Sequence, residues 1–192
     1  MIHLEFLLEE RSMAVVLNAL LPKIIDHNRV SYRLHPHQGK TDLQRSIPKK
    51  ARVFARIPNC YLVIVRDQDA GDCKQVKNKL VELCRKNHAP PFLIRIACRE
   101  LESWLLGDME AVEQAYPKSK ATWQARKAKF RNPDNLGNPA QELGKLVKNY
   151  GKIARSTAIA SYMQVDRNRS YSFQVFVNGL QDFVKTIEVD LD

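Results

Sequence analysis

Apolar positions fall along this chain in two rhythms. Ile2 to Leu8 is a short apolar run with polar interruptions, and Val30 to Leu34 alternates; both read as strands. Between them Ala14, Val15, Leu17, Leu20, Leu21 and Ile24 recur at helical spacing, with Ser12 as the N-cap. Residues 41–56 carry helical spacing at Leu43, Ile47, Ala51 and Phe54, interrupted by Pro48. Tyr61–Val65 (YLVIV) is the strongest strand; a basic amphipathic helix follows from Cys73 to Lys86, then the strand Phe92–Ala97 and a helix through RELESWLLGD. Strands alternating with helices predict an α/β fold, a mostly parallel sheet of about four strands flanked by helices. Past residue 109 the pattern turns polar and helical. It predicts a basic helix or arm over 118–131 and short helices over 140–149, 153–163 and 173–185. The expected organisation is an α/β core over 1–110 and a basic helical extension over 111–192, packed together as one unit.

Charge changes this picture. The 192 residues hold 31 Lys and Arg against 21 Asp and Glu, a net charge of +10. That excess sits in two blocks, residues 28–58 at +7 and 118–155 at +8, while the other three segments are neutral or acidic. An acidic site between phosphate-binding surfaces has this form, so nucleic acid is the expected partner rather than a membrane. No apolar run reaches the length of a membrane span, and MIHLEFLLEE lacks the basic start of a signal peptide, so a cytoplasmic location is expected. The four cysteines form no CxxC pair, which removes the usual zinc spacing. Cys60 and Cys98 adjoin strands and read as core. His35 and His37 make a weak metal pair against an ordinary strand end.

In an open α/β sheet the functional crevice lies beyond the carboxyl ends of the strands. Here those ends carry acids. The first strand ends at Glu9–Glu10, YLVIV leads through Arg66 to Asp67, Asp69 and Asp72, and the fourth leads to Glu100 and Glu102. Such a cluster resists joint ionisation unless a cation neutralises it. Mg²⁺ (or Mn²⁺) takes a few carboxylates and bridges to phosphate oxygens. Asp67 and Asp69, two apart, would share one face of an extended segment. Asp72 reads better as the N-cap of the following helix, and Glu102 points either to the site or to solvent. Lys40, in the loop-like HPHQGKTD, is placed either to hold a phosphate or in a solvated loop. There is no GxxxxGK[ST] or GxGxxG. Within KSKATWQARKAKFR, six cations surround Trp123 and Phe130. The aromatics read as the buried stripe of an amphipathic helix or as a stacking platform, and the cations as phosphate contacts.

The strand ending at Glu9, followed later by a strand ending in Asp67-x-Asp69, resembles the TOPRIM (topoisomerase–primase) domain. More closely, FLLEERSM, HPHQGKTDL, VRDQDAGDCKQVK, IACRELESWLLGDMEAV, KAKFRNPD and NRSYSFQVF resemble the TOPRIM-like bacterial proteins of domain-of-unknown-function family 4276, over nearly the whole chain. The resemblance implies a TOPRIM-like (Rossmann-like) fold, with Glu9 as general acid/base or metal-associated group and Asp67 and Asp69 as Mg²⁺ ligands. Glu100 and Glu102 match the Glu-x-Glu-x-Trp stretch and would be further metal ligands. TOPRIM enzymes usually carry Gly after the Glu; this chain has Glu10. The resemblance also implies an AAA or ABC-type ATPase partner in anti-phage defence.

The expectation is a Mg²⁺-dependent nuclease with Glu9, Asp67, Asp69 and Glu100 as catalytic residues. Lys40, Arg66, Lys74, Arg126, Lys127, Lys129 and Arg131 would contact the substrate. The alternatives are a non-catalytic nucleic-acid-binding or ATPase-interacting protein, and a phosphoryl-transfer enzyme acting on a small nucleotide. Nothing supplies the strand-passage domains of a topoisomerase or the zinc module of a primase.

Overall fold

The computed structural model describes residues 1–148 and 151–191. Strands β1 (Ile2–Leu8), β2 (Val30–Pro36), β3 (Cys60–Asp67) and β4 (Phe92–Ala97) form one parallel sheet in the order β2–β1–β3–β4. Helices α1 (Arg11–Leu20), α2 (Lys40–Phe54) and α3 (Cys73–Lys86) make the crossovers. The chain steps from β1 to β2 in one direction and from β2 over β1 to β3 and β4 in the other. Right-handed crossovers therefore put α1 on one face and α2 with α3 on the opposite face. This is the α/β class read from the alternation of strands and helices, and it is consistent with the Rossmann-like fold that the resemblance implies.

Side chains alternate between the two faces of each strand. On β1, Leu4, Phe6 and Leu8 join the core on the α1 side, and Leu7 joins Leu43, Ile47, Leu80 and Cys84 under α2 and α3. β3 is apolar on both faces, as a central parallel strand must be. The α1 side is completed by α4 (Leu101–Gly107), α5 (Met109–Ala115), α6 (Ala121–Gln124), α7 (Pro139–Leu146), α8 (Lys152–Tyr162) and α9 (Tyr171–Leu191). Trp104 of α4 stacks on Phe176 of α9, both fully buried.

Several local expectations are corrected. The α1 cap position is Glu10 rather than Ser12; Ser12 lies in the first turn and donates its hydroxyl to Glu10 Oε1 at 2.5 Å. Pro48 does not interrupt α2, because Leu43, Ile47, Ala51 and Phe54 bury one continuous stripe and outweigh the lost backbone donor. The 118–131 segment is not one helix: Lys120 is left-handed at φ 50°, and the chain forms a 3₁₀ turn over Pro117–Ser119, α6, and a 3₁₀ turn over Ala128–Phe130. Trp123 and Phe130 therefore do not share a buried stripe; Phe130 is buried and Trp123 is 57% exposed. Cys60 is core as expected, whereas Cys98 is half-buried. The last helix begins and ends outside the expected 173–185, and Val175 within it is exposed. Asn149, the end of the helix expected over 140–149, lies outside the described residues.

NRSYSFQVF, with Arg167 just before it, docks on α4 and the start of α5. Asn168 donates to Trp104 O at 2.7 Å and accepts from the Ser170 amide, and Arg167 clasps Asp108 and Glu110. The contact leaves no room at Gly107, where a Cβ would stand 2.0 Å from Asn168 Oδ1. Gly107→Ala is accordingly expected to lower stability by about 2–3 kcal/mol through overpacking and lost buried hydrogen bonds. An unchanged urea midpoint would count against that packing.

Candidate functional site: an acidic cluster at the switch point

The strand order reverses between β1 and β3, and a doubly wound sheet opens its crevice there. The two strands deliver Glu9 and Asp67 side by side. Glu9 Oε2 accepts the Asp67 amide at 3.2 Å, and the Glu9 amide donates to Val65 O at 3.3 Å. Both carboxylates are nearly buried. Burial, then the charge of Asp69, pushes the Glu9 carboxyl up; Arg66 and the Asp67 amide only partly offset this. Asp67 is held well above the usual carboxylate range by burial and by the charges of Glu9, Glu102 and Glu10.

Asp69 does not continue the strand. The backbone turns left-handed there, at φ 58°, so Asp67 and Asp69 are not neighbours on one extended face. The Asp69 amide donates to Arg99 O at 2.8 Å, and Arg99, itself left-handed at φ 63°, donates its amide to Gln68 Oε1. These bonds join the loops after β3 and β4. The Asp69 carboxylate meets Lys40 Nζ at 3.0 Å and Arg66 at 3.7 Å. Arg66 is buried and also faces Glu9 at 3.5 Å, so its guanidinium is an internal counter-charge. Lys40, the first residue of α2, stands at the rim of the site.

The two acids after β4 diverge. Glu100 Oε2 accepts the Ala140 amide at 2.9 Å and so satisfies an open donor at the start of α7. Glu102, in the first turn of α4, points inward and is 1% exposed. Burial raises its pKa against the pull of Lys152. Lys152, first residue of α8, contacts Glu10 Oε1 and lies 3.6 Å from Glu102 Oε1. Burial alone would lower the pKa of this lysine, but Glu102, Glu10 and Asp67 more than offset that and raise it.

Three buried carboxylate oxygens are left without a hydrogen-bond partner: Asp67 Oδ1 and both oxygens of Glu102. Buried acceptors of this kind are costly unless something else satisfies them. No group of three or more His, Cys, Asp or Glu among the described residues stands ready to hold an ion. An all-oxygen set with orphaned acceptors nevertheless fits a hard divalent cation, since Mg²⁺ is held by one or two carboxylates and keeps waters in its remaining positions. Asp67 with Glu9 would hold it, and Glu102 stands behind them.

Residues 8–181 match the family described as Domain of unknown function (DUF4276). The chain belongs to that family. No curated protein and no solved structure matches the chain.

The remaining candidates of this DUF4276 chain lie apart from the cluster. Asp72 caps α3 by accepting the Gln75 amide at 2.9 Å, as expected, and Lys74 is exposed beside it. Arg126 and Arg131 are exposed, Lys127 lies over the Trp123 ring at 5.2 Å, and Lys129 pairs with Glu142. None of these four bonds to the acidic cluster among the described residues. Arg167 and Ser170 bond to Asp108 and Asp134, away from the cluster. His35 meets buried Glu5 and Lys50, and His37 Nδ1 lies 2.8 Å from Leu8 O. Sequence reasoning missed Lys152 and the part played by Glu10. The one available signal was Lys152 opening a helix rich in small and apolar residues, KIARSTAIAS, in which Arg155 is the other cation.

Proposed function

We propose that this chain is a divalent-cation-dependent phosphodiesterase acting on nucleic acid, with the acidic cluster at the switch point as its active centre. The observation that carries the reading is the set of orphaned oxygens on Asp67 and Glu102, buried where the strand order reverses. A bound Mg²⁺ or Mn²⁺ would supply electrophilic activation of a phosphoryl oxygen and orientation of an attacking water. Glu9, whose carboxyl is pushed up by burial and by the charge of Asp69, is suited to accept and return a proton. Arg66 holds Glu9 and Asp69 in place, and Lys40 meets an incoming phosphate at the rim. The resemblance of Glu9…Asp67-x-Asp69 to the TOPRIM pattern supports the reading. It also supports a role as the cleaving subunit of an ATPase-controlled anti-phage system in the cytoplasm.

A non-catalytic role is favoured by one observation: Lys152 already places a cation against Glu10 and Glu102. The experiment that separates the two is incubation with Mg²⁺ or Mn²⁺ and a panel of plasmid, linear DNA and tRNA, alongside Asp67→Asn. Cleavage by the wild type and none by the variant is expected. Equal cleavage by both would remove the cluster from the chemistry.

A further inference from the structure

We propose that the outer face of the α2–α3 layer is a docking surface for duplex nucleic acid, gripped through its phosphates without reading the bases. The proposal deepens the phosphodiesterase reading, and rests on it for the choice of nucleic acid as the polyanion. On α2, Arg45, Lys49 and Arg52 are exposed at i, i+4 and i+7, one stripe opposite the buried Leu43, Ile47, Ala51 and Phe54. On α3, Lys74, Lys77 and Lys79 are exposed around its outer side. None of these six makes an ion pair among the described residues. The acids of the two helices are otherwise occupied: Asp42 accepts the Gln38 amide at 2.9 Å, and Glu82 faces Lys86 at 4.0 Å. Like charges at i, i+4 repel and cost the helix a few tenths of a kcal/mol each. Arg45 and Lys49 retain such repulsion on α2, as do Lys74 and Lys77 at i, i+3 on α3, and the surface they form is matched to an external polyanion.

Topology fixes where that polyanion leads. Both helices run antiparallel to the strands, so their N-termini open at the strand ends that carry the acids. The stripe thus starts at Lys40, in contact with Asp69, and at Lys74, and extends away for about 20 Å, the length of a 14- to 15-residue helix. A cleft of about 260 Å³ between the helices, lined by Gln44, Lys79, Glu82, Leu83 and Lys86, gives the face a shallow trough. Duplex is favoured over single strand because neither helix exposes an aromatic ring on which a free base would stack. The exposed Trp123 lies on α6, across the fold, among cations that are partly spent on Trp123 and Glu142.

The test is binding in EDTA, where cleavage plays no part. Fluorescence anisotropy follows a 30-base-pair DNA duplex and the corresponding single strand from about 50 to 200 mM salt. The wild type is expected to prefer the duplex. The variant R45A/K49A/K77A/K79A, all at exposed sites and checked by circular dichroism, is expected to lose about tenfold or more in affinity. Its salt slope should shrink by roughly three to four units, about 0.9 for each phosphate contact removed. A second variant, K118A/K120A/R126A/K127A, is expected to stay within about twofold of wild type. The proposal is overturned by no duplex binding, by equal binding of the single strand, by loss in the second variant rather than the first, or by tighter capture on phosphatidylserine vesicles than on duplex. Duplex binding that depends on α2–α3, with no cleavage in Mg²⁺, would leave this surface standing and remove the phosphodiesterase reading instead.

Discussion

Freed of divalent ions with EDTA at pH 7.5, the Asp67→Asn protein is expected to melt above the wild type by roughly 3–6 °C. The variant replaces a buried carboxyl group whose Oδ1 has no partner and whose charged form is opposed by burial, Glu9 and Glu102. Relief of one such group is worth about 1–2 kcal/mol, and a chain of this size moves about 2–4 °C per kcal/mol. The pH dependence follows from the direction of the shift. A carboxyl whose folded pKa lies above its unfolded value of about 3.9 binds more protons folded than unfolded. Wild-type stability therefore falls as pH rises between those two values, and the advantage of the amide is full above the folded pKa. Below the unfolded value the acid is protonated in both states, and the two proteins should melt alike. Addition of Mg²⁺ or Mn²⁺ is expected to reverse the order, raising the wild type while leaving the variant where it was. Cleavage by the variant should drop by about a thousandfold or more with its metal-binding carboxylate gone. A variant less stable than wild type at pH 7.5 in EDTA would contradict the account of Asp67.

Lys152→Met is expected to act in the opposite direction on stability. Removing one partner of a buried ion pair costs about 3–5 kcal/mol, because the remaining charge is left uncompensated. Lys152 is 40% exposed, so solvent screening reduces that to about 1–3 kcal/mol. Loss of the lysine raises the carboxyls of Glu102 and Asp67 further, so the deficit should be largest at alkaline pH and shrink as these groups take up protons. The same change removes the cation that competes for these acids. Mn²⁺ is therefore expected to bind the variant about tenfold more tightly, read by electron paramagnetic resonance of the free ion, and to restore its melting temperature. Weaker Mn²⁺ binding would instead make Lys152 a support for the site.

The sheet and the place of the acids were legible in the sequence because both follow from short-range periodicity. Ile2–Leu8 and Tyr61–Val65 are too short and too apolar to be anything but buried strands, and parallel connection puts their ends together. What each acid does there was not legible. Asp69 left the expected face because one left-handed residue reverses side-chain direction, and no alternation of polar and apolar residues records a backbone angle. Glu100 became the partner of α7 through a contact across 40 residues, and Lys152 reaches Glu10 across a longer stretch still. The 118–131 stretch has helical spacing, but the chain that wraps from α5 to α7 breaks it into a short helix and 3₁₀ turns. In each case tertiary demand overrode a local pattern.

The late position of α8 and α9 also governs how the protein comes into being. The parallel sheet needs contacts distant in sequence, and its α1 face stays open until residues 171–191 have been made. The acids of β1 and β3 are synthesised long before Lys152 reaches them. Emerging from the ribosome, this chain carries its acids, with Lys40 and Arg66 among them, ahead of Lys152 and of the helix that closes the core. The Lys152 contacts and the packing of α9 on the α1 face can therefore form only after all four strands have been made.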